Sequence, residues 1–183
     1  GDPIASANPA VRVVETSRDA GEVIWTTGDH DGRGSEKVPN PHMFSSPRLA
    51  GRISRAIAAA MSDMDPGGAA LYAGNLERYA QRLEALAGEC TAVAAGLRSR
   101  KIVTVHAVLD YFARDCGLEI AAVVEETAGQ EPAAARMLEI VKVIRRSGAA
   151  ALFTEPQYPA RIGRTIAREA GIPEATLDPV ASG

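Results

Sequence analysis

The sequence contains few aromatic residues, few cysteines and few histidines. Aromatic residues make up 4% of the 183 positions, and there are two cysteines and three histidines. Two cysteines are too few for a disulfide framework, and no apolar run approaches the roughly 18 residues of a membrane span. A net charge of −3 provides no basic surface for nucleic acid. Hydrophobic residues reach 46%, and the abundant alanine among them predicts tightly packed helices.

The second half of the chain alternates strand-like and helix-like segments. The predicted strands are 101–106, 119–125, 149–154 and 175–178, and the predicted helices are 107–116, 131–146 and 159–170. Glycine stands where each helix should stop, at positions 117, 148 and 171. Such alternation is typical of a parallel sheet, and right-handed crossovers place helices on both of its faces. The predicted fold class is therefore α/β, with a four-stranded parallel sheet.

The first half of the chain is less regular until residue 45. Residues 11–14 and 22–27 form short β-like runs, and residues 28–41 have the glycine, proline and charge content of an exposed loop. Ser45-Ser46-Pro47 then supplies an N-cap and an early proline for a helix that ends near residue 65. Apolar residues next recur at spacings of four and three. They predict one long helix over residues 68–99, about 48 Å at 1.5 Å per residue.

Each predicted strand of the second half ends on a residue that can bind a metal. These residues are His106, Glu125, Glu155 and Asp178. Because ligands of parallel sheets bind outside the carboxyl ends of the strands, we expect one imidazole and three carboxylates to converge on one rim. We expect Glu125 to lie closer than Glu155 to the strand of His106. His106 can equally cap the junction to the next helix, and Glu155 can equally hold its loop by hydrogen bonds.

Five segments in a fixed order resemble a known family. Asn40-Pro-His-Met-Phe-Ser-Ser-Pro is similar to an Asp/Asn-Pro-His-x-Trp-x-x-Pro segment of the solute-binding proteins that serve zinc and manganese ABC transporters. His106, Tyr111-Phe112 and Gly117-Leu118 match the family's His-x-x-x-x-Tyr-Phe-x-x-x-x-Gly-Leu segment. The remaining three segments are Gly129-Gln-Glu-Pro, Phe153-Thr-Glu-Pro-Gln and Leu177-Asp-Pro. The resemblance runs from about residue 11 to the end of the sequence.

The resemblance implies a receptor of two α/β lobes that are joined by a long helix, with the metal between the lobes. On this basis residues 1–66 are expected to be a remnant of the amino-terminal lobe with a loop and a first helix. Residues 67–100 are expected to form the long connecting helix, and residues 101–183 the carboxyl-terminal α/β lobe. The chain is thus expected to be a receptor truncated to one lobe and its connecting helix.

The resemblance also implies a set of metal ligands. His42 and His106 match two ligand histidines of the family, and Asp178 matches its carboxylate ligand. Glu125, Glu155 and His30 are further candidate ligands. Imidazole suits zinc and a carboxylate tolerates manganese, so the expected cargo is Zn²⁺, with Mn²⁺ as the alternative. Two histidines and one aspartate leave a tetrahedral zinc site one ligand short.

The function implied by the resemblance is capture of a divalent metal ion outside the cytoplasm, in the periplasm or at the cell surface, without catalysis. The expected partner is the membrane permease of an ABC transporter, and an exposed lobe face would favour a homodimer. Two other classes remain open from the residues alone. One is a metal-dependent hydrolase, because histidine and acidic residues at strand ends also build such sites. The other is an interaction module built on the long helix.

Overall fold

The computed structural model describes residues 7–8, 10–18, 20–21, 23–28, 36–125 and 132–179. Its first sheet is a two-stranded antiparallel hairpin of β1 (Trp25–Gly28) and β2 (Glu36–Pro39). Trp25 pairs with Pro39 at one end of the hairpin, and Gly28 pairs with Glu36 at the other. Strand β1 overlaps the last three residues of the predicted β-like run 22–27 and extends one residue beyond it.

Two predictions for the first half were wrong. Residues 36–39 belong to a strand and not to the loop predicted over residues 28–41. The charged residues and the proline of β2 hide it from a hydrophobic pattern, yet an edge strand accepts both. Residues 11–14 are not a strand, because a strand needs a paired neighbour and these valines lie exposed, with Val13 at 53%.

Two helices follow the hairpin. Helix α1 spans Pro47–Met64, and its N-cap is Ser46, whose Oγ accepts a hydrogen bond from the Leu49 backbone N–H at 3.1 Å. Helix α2 spans Ala69–Ala95 and packs along α1. Its 27 residues correspond to about 40 Å, so the long helix is confirmed but ends four residues before the predicted boundary. None of the described helices combines the length and hydrophobicity that crossing a bilayer requires.

The second half forms the predicted four-stranded parallel sheet. Its strands are β3 (Lys101–Thr104), β4 (Glu119–Val123), β5 (Ala151–Thr154) and β6 (Glu174–Thr176). They lie in the order β4-β3-β5-β6, and every neighbouring pair is parallel. Short 3-10 turns at Met43–Ser45 and Ala107–Leu109 precede α1 and the first helix of the sheet.

Helices cover both faces of this sheet, as predicted. They are α3 (Asp110–Cys116), α4 (Ala134–Ser147) and α5 (Arg161–Ala170). Helix α3 packs against α2, whereas α4 and α5 pack against each other. Gly117, Gly148 and Gly171 follow the three helices with φ values of 69°, 70° and 76°, which is the left-handed conformation that glycine adopts without strain.

The order of the strands creates a crevice between β3 and β5. The chain passes from β3 outward to β4, and then returns across β3 to β5 and continues outward to β6. The connections on either side of the β3–β5 boundary therefore run in opposite directions. In open α/β sheets such a reversal point is where ligands bind, outside the carboxyl ends of the strands. The fold thus predicts a site beyond Thr104 and Thr154.

Buried side chains of the sheet and of α4 and α5 form the main core. Its fully buried members include Val103, Ile144, Leu152 and Ile166. A second cluster of Ala20, Met43, Leu49 and Tyr111 joins α3 to α1 and to the segments before α1. Cys90 and Cys116 are both free thiols. The division of the chain at residues 66 and 100 stays a prediction.

Gly163 on α5 packs closely against the sheet. A Cβ at this position would lie 2.6 Å from Thr154 Cγ2 and 3.1 Å from Leu152 Cδ2. We expect Gly163→Ala to lower the free energy of unfolding by about 1–3 kcal/mol, as overpacked cores do. The matched control is Gly88→Ala on α2, where a Cβ meets nothing within 4 Å and helix propensity favours alanine by about 1 kcal/mol. Urea unfolding of both variants tests this, and equal effects would contradict it.

Candidate metal centre

His106 and Glu155 lie together at the reversal point of the sheet. His106 follows β3 and Glu155 follows β5, which is its neighbour in the sheet. The two side chains are buried, with 10% and 5% of their surface exposed, and His106 Nδ1 lies 2.5 Å from Glu155 Oε1. The predicted convergence of an imidazole and a carboxylate on this rim is therefore observed for this pair.

The contact between His106 and Glu155 is close but is not directed as a hydrogen bond. His106 Nδ1 is buried and has no hydrogen-bond partner among the described residues. A buried nitrogen without a partner costs free energy, and a cation is one partner that an imidazole and a carboxylate can share. Nitrogen and oxygen donors of these two types are also what late divalent metals such as zinc prefer. This part of the site fits a divalent cation.

His42 approaches the same place from the first half of the chain. It stands directly before the 3-10 turn Met43–Ser45, and its ring centroid lies 6.2 Å from that of His106 at an interplanar angle of 67°. With Zn–N bonds of about 2.0–2.1 Å and tetrahedral angles, two imidazoles on one zinc have centroids roughly 5 Å apart. The two rings are therefore about 1 Å further apart than a shared zinc ion would hold them.

The surroundings of His42 favour its neutral form. Partial burial and the nearby His106 hold the pKa of His42 below its ordinary value of 6.5, against the opposing effects of Glu155 and of a hydrogen bond to the Ala107 backbone. Metal binding requires a neutral imidazole. The direction of this pKa shift thus favours the neutral form of His42, which is the form that can bind a metal.

The lowered pKa of His42 predicts a pH dependence of stability. The unfolded chain takes up this proton at a higher pH than the folded protein, so the metal-free protein is stabilised above pH 6.5. That contribution is lost as the pH falls from 6.5 through the lower pKa of the folded state. We expect urea unfolding between about pH 8 and pH 5 to show a smaller loss of stability for His42→Gln than for the unsubstituted protein. Identical pH profiles would contradict the shift.

Two other predicted ligands, Asp178 and Glu125, follow the outer strands of the same sheet. Asp178 follows β6, is exposed, and its Oδ1 accepts a hydrogen bond from Gln157 Nε2 at 2.8 Å. Glu125 follows β4 and is buried, and its backbone N–H donates to the Val105 carbonyl at 2.7 Å. The carboxylate in contact with His106 is thus that of Glu155. His30 lies outside the described residues.

The predicted ligand set is not assembled in this structure. Within the described parts of the chain, no three histidine, cysteine, aspartate or glutamate side chains are grouped so that they could hold one metal ion. His42 and His106 lie close together, but Asp178 is hydrogen-bonded to Gln157, which lies in the turn after β5. The assignment of His42, His106 and Asp178 as three ligands of one ion stays a prediction, and so do the roles of Glu125, Glu155 and His30.

Comparison with known proteins places this chain in a family. The sequence pattern of the ZnuA family, described as zinc-uptake complex component A, periplasmic, matches residues 2–183. The chain belongs to this family. The five ordered segments in the sequence had predicted membership among zinc and manganese solute-binding proteins, and that prediction is confirmed.

Several known proteins are similar to this chain. Zinc-binding protein AdcA of Streptococcus pyogenes is 27% identical over 82% of this chain and 29% of its own length. A ZnuA deletion mutant with zinc bound is 27% identical, with a TM-score of 0.80 over 97% of this chain and 65% of that one. FpvC of Pseudomonas aeruginosa, in complex with Mn²⁺, is 31% identical, with a TM-score of 0.84 over 98% of this chain and 66% of that one. The chain thus spans less than a third of AdcA.

Two aromatic side chains beside the histidines of this ZnuA-family chain were not predicted as site residues. The Tyr158 ring packs edge-on against the His106 ring with centroids 4.7 Å apart, and Phe44 packs edge-on against His42 at 6.0 Å. Tyr158 lies in the turn after Glu155, where its backbone N–H donates to the Glu155 carbonyl at 3.3 Å. Its position three residues after a strand-end acid was the available signal.

Tyr111 is buried, and its hydroxyl joins the two halves of the chain. This side chain is 0% exposed. The hydroxyl donates to the Asn40 carbonyl at 2.9 Å and accepts from the Ile24 N–H at 3.0 Å. We expect Tyr111→Phe to lower the free energy of unfolding by about 1–3 kcal/mol, because the Ile24 N–H loses its partner. Tyr79→Phe is the control, since Tyr79 is 46% exposed and surface changes stay within about 0.5 kcal/mol. Chemical denaturation compares the two.

Proposed function

We propose that this chain captures a divalent transition metal ion outside the cytoplasm and delivers it to the membrane permease of an ABC transporter. The observation that carries the proposal is the approach of two histidines from distant parts of the chain to one buried carboxylate at the reversal point of the sheet. The names of the relatives support it. AdcA is a zinc-binding protein, and ZnuA of Brucella abortus is part of a high-affinity zinc uptake system.

The proposed cargo is zinc in preference to manganese. His42 and His106 offer imidazole nitrogens, and affinity for such ligands rises along the first-row series from manganese toward copper and zinc. A carboxylate from Asp178 would add charge balance and a third ligand, and Glu155 supplies a negative charge beside His106. Manganese remains the alternative cargo, because FpvC has been solved in complex with Mn²⁺.

The proposed mechanism joins metal binding to a local rearrangement. Asp178 is exposed and hydrogen-bonded to Gln157, so its carboxylate would have to turn from Gln157 toward the histidines when the ion arrives. A ligand set that forms only with the metal binds less tightly than a preformed one, because ordering the ligands costs free energy.

The proposed location is the periplasm or the cell surface. The family is described as periplasmic, and one relative, AdcA of Streptococcus pneumoniae, is named a lipoprotein. The relatives are named for zinc binding and zinc uptake, which supports a receptor and not the hydrolase considered from the sequence. Pairing of two copies has no support in these comparisons.

A competition titration tests the proposed function. The purified protein is titrated with Zn²⁺ and separately with Mn²⁺ against a chromophoric chelator, with Mg²⁺ as the reference for nonspecific binding. The expected result is one zinc ion per chain, bound more tightly than manganese, and no competition by magnesium, because magnesium prefers oxygen ligands. Binding of zinc no tighter than magnesium would overturn the proposal.

A further inference from the structure

Asn40 is a buried asparagine that is hydrogen-bonded through both its backbone and its side chain. It is 2% exposed. Its backbone N–H donates to the Ile24 carbonyl at 2.8 Å, and its carbonyl accepts from the Tyr111 hydroxyl at 2.9 Å. The side-chain Oδ1 lies 2.9 Å from the His42 backbone N and 2.8 Å from His42 Nδ1. The side-chain Nδ2 donates to the Ala107 carbonyl at 2.7 Å and to Asp110 Oδ2 at 2.9 Å.

These partners fix the orientation of the Asn40 amide. The backbone N–H of His42 can only donate, so the atom that faces it must be the amide oxygen. The carbonyl of Ala107 can only accept, so the atom that faces it must be the amide nitrogen. The same oxygen faces His42 Nδ1 at 2.8 Å, and this contact favours the neutral ring that carries its proton on Nδ1. The lone pair of neutral His42 is therefore on Nε2, where it is available to a metal.

The Asn40 side chain also connects the two predicted ligand histidines. Its oxygen holds the ring of His42, and its nitrogen holds the carbonyl of Ala107, the residue directly after His106. One rigid, planar amide thus spans the segments that carry the two rings. These segments belong to different halves of the chain, and α1, α2 and β3 lie between them in the sequence.

Asp110 explains why an amide fits at position 40 and a carboxylate does not. An aspartate at position 40 could still accept from His42, but its second oxygen would face the Ala107 carbonyl and the Asp110 carboxylate. Both of these are acceptors, and they lie 2.7 Å and 2.9 Å from the present nitrogen. Burial raises the pKa of Asp110 and the hydrogen bond from Asn40 lowers it, so a second negative charge beside it would be unfavourable.

We propose that Asn40, paired with Asp110, is a positioning residue that selects the tautomer of His42 and sets the separation of His42 and His106. The expected effect of Asn40 on metal affinity rests on the proposed metal-binding function. The expected effect of Asn40 on the His42 ring does not require a metal. Outer hydrogen-bond partners of this kind change metal affinity by about 10- to 100-fold.

The first test is the tautomer of His42 in the metal-free protein. Nitrogen-15 NMR of the histidine rings at about pH 8, where neutral rings dominate, reports which nitrogen carries the proton. We expect the Nδ1–H form in the unsubstituted protein and a shift toward the Nε2–H form in Asn40→Ala. The matched control is Asn75→Ala, because Asn75 lies exposed on α2, and it should leave the His42 spectrum unchanged. An Nδ1–H ring that persists in Asn40→Ala would overturn the tautomer role.

The second test is zinc affinity, measured by chelator competition on the same proteins. We expect Asn40→Ala to weaken zinc binding by about 10- to 100-fold, and Asn75→Ala to leave it within twofold. An unchanged affinity in Asn40→Ala would overturn the role of Asn40 in the site. If the unsubstituted protein binds no zinc, the proposed function fails, while the NMR result still decides whether Asn40 selects the tautomer.

A third comparison uses substitutions that keep the size of the side chains, so it remains informative if Asn40→Ala does not fold. We expect Asn40→Asp to lower the melting temperature of the metal-free protein, because it places two acceptors against each other. Adding Asp110→Asn should recover part of the loss, since one donor is restored to the pair. Additive effects of the two substitutions would show that Asn40 and Asp110 do not act together and would overturn their pairing.

Discussion

Replacement of His106 by alanine is expected to lower zinc affinity by more than about 100-fold, which is the upper end of the loss caused by removing an outer hydrogen-bond partner. The variant removes a nitrogen ligand and leaves the buried Glu155 carboxylate without the imidazole that lies 2.5 Å from it. It also removes one of the two rings whose centroids are 6.2 Å apart. Chelator competition, performed as for the unsubstituted protein, measures the change.

Two further variants make this result specific. His42→Ala should produce a loss of similar size, and His42 is only half-buried, so this variant is expected to fold. His30→Ala makes the same chemical change at a histidine that is predicted only as an additional ligand, and it should change affinity much less. Wild-type zinc affinity in both His42→Ala and His106→Ala would remove the two histidines from the site, and a large loss in His30→Ala would move the site toward that residue.

Zinc is expected to stabilise the folded protein strongly. A ligand that binds only the folded state adds about 2.7 kcal/mol of stability at a free concentration of 100 times its Kd. For a chain of this size, 1 kcal/mol corresponds to roughly 2–4 °C in Tm, so zinc should raise the Tm by about 5–11 °C. Thermal unfolding followed by circular dichroism at several zinc concentrations measures the shift.

The zinc dependence of Tm distinguishes two candidate functions of the chain. One is the metal receptor, and the other is the interaction module built on the long helix. A module held together by helix packing alone would melt at the same temperature with zinc or with a chelator. Magnesium serves as the control for ionic effects, and the double variant His42→Ala with His106→Ala should lose the zinc shift. A zinc-dependent rise in Tm that survives in the double variant would place the ion elsewhere.

The sheet could be predicted from the sequence because its signals are local. Strands β3 and β5 appear as short apolar runs, and Gly117, Gly148 and Gly171 mark the helix ends at the positions where the structure has positive φ. The convergence of His106 and Glu155 followed from the same signals, since the carboxyl ends of parallel strands share one edge. These signals did not indicate that Glu155 would contact His106 in preference to Glu125. That choice depends on how the two acidic residues and their loops pack around His106.

The positioning contacts could not be predicted from local patterns. Asn40 reaches Ala107 and Asp110 across 67 and 70 positions of the sequence, and hydrophobic periodicity carries no signal for such a pair. Strand β2 was missed for a related reason, because an edge strand rich in charge looks like a loop until its partner is known. In both cases the tertiary neighbour gives the residue its role.

X-ray absorption at the zinc K-edge tests the central claim most directly, because it reports the ligands of the bound ion. The zinc-loaded protein should show about two imidazole rings in the scattering, with Zn–N distances of about 2.0–2.1 Å and oxygen completing the shell. His106→Ala, loaded at high zinc concentration, should show one ring fewer. A first shell of oxygen alone, or an imidazole count that is the same in His42→Ala and His106→Ala as in the unsubstituted protein, would contradict a zinc site built on these two histidines.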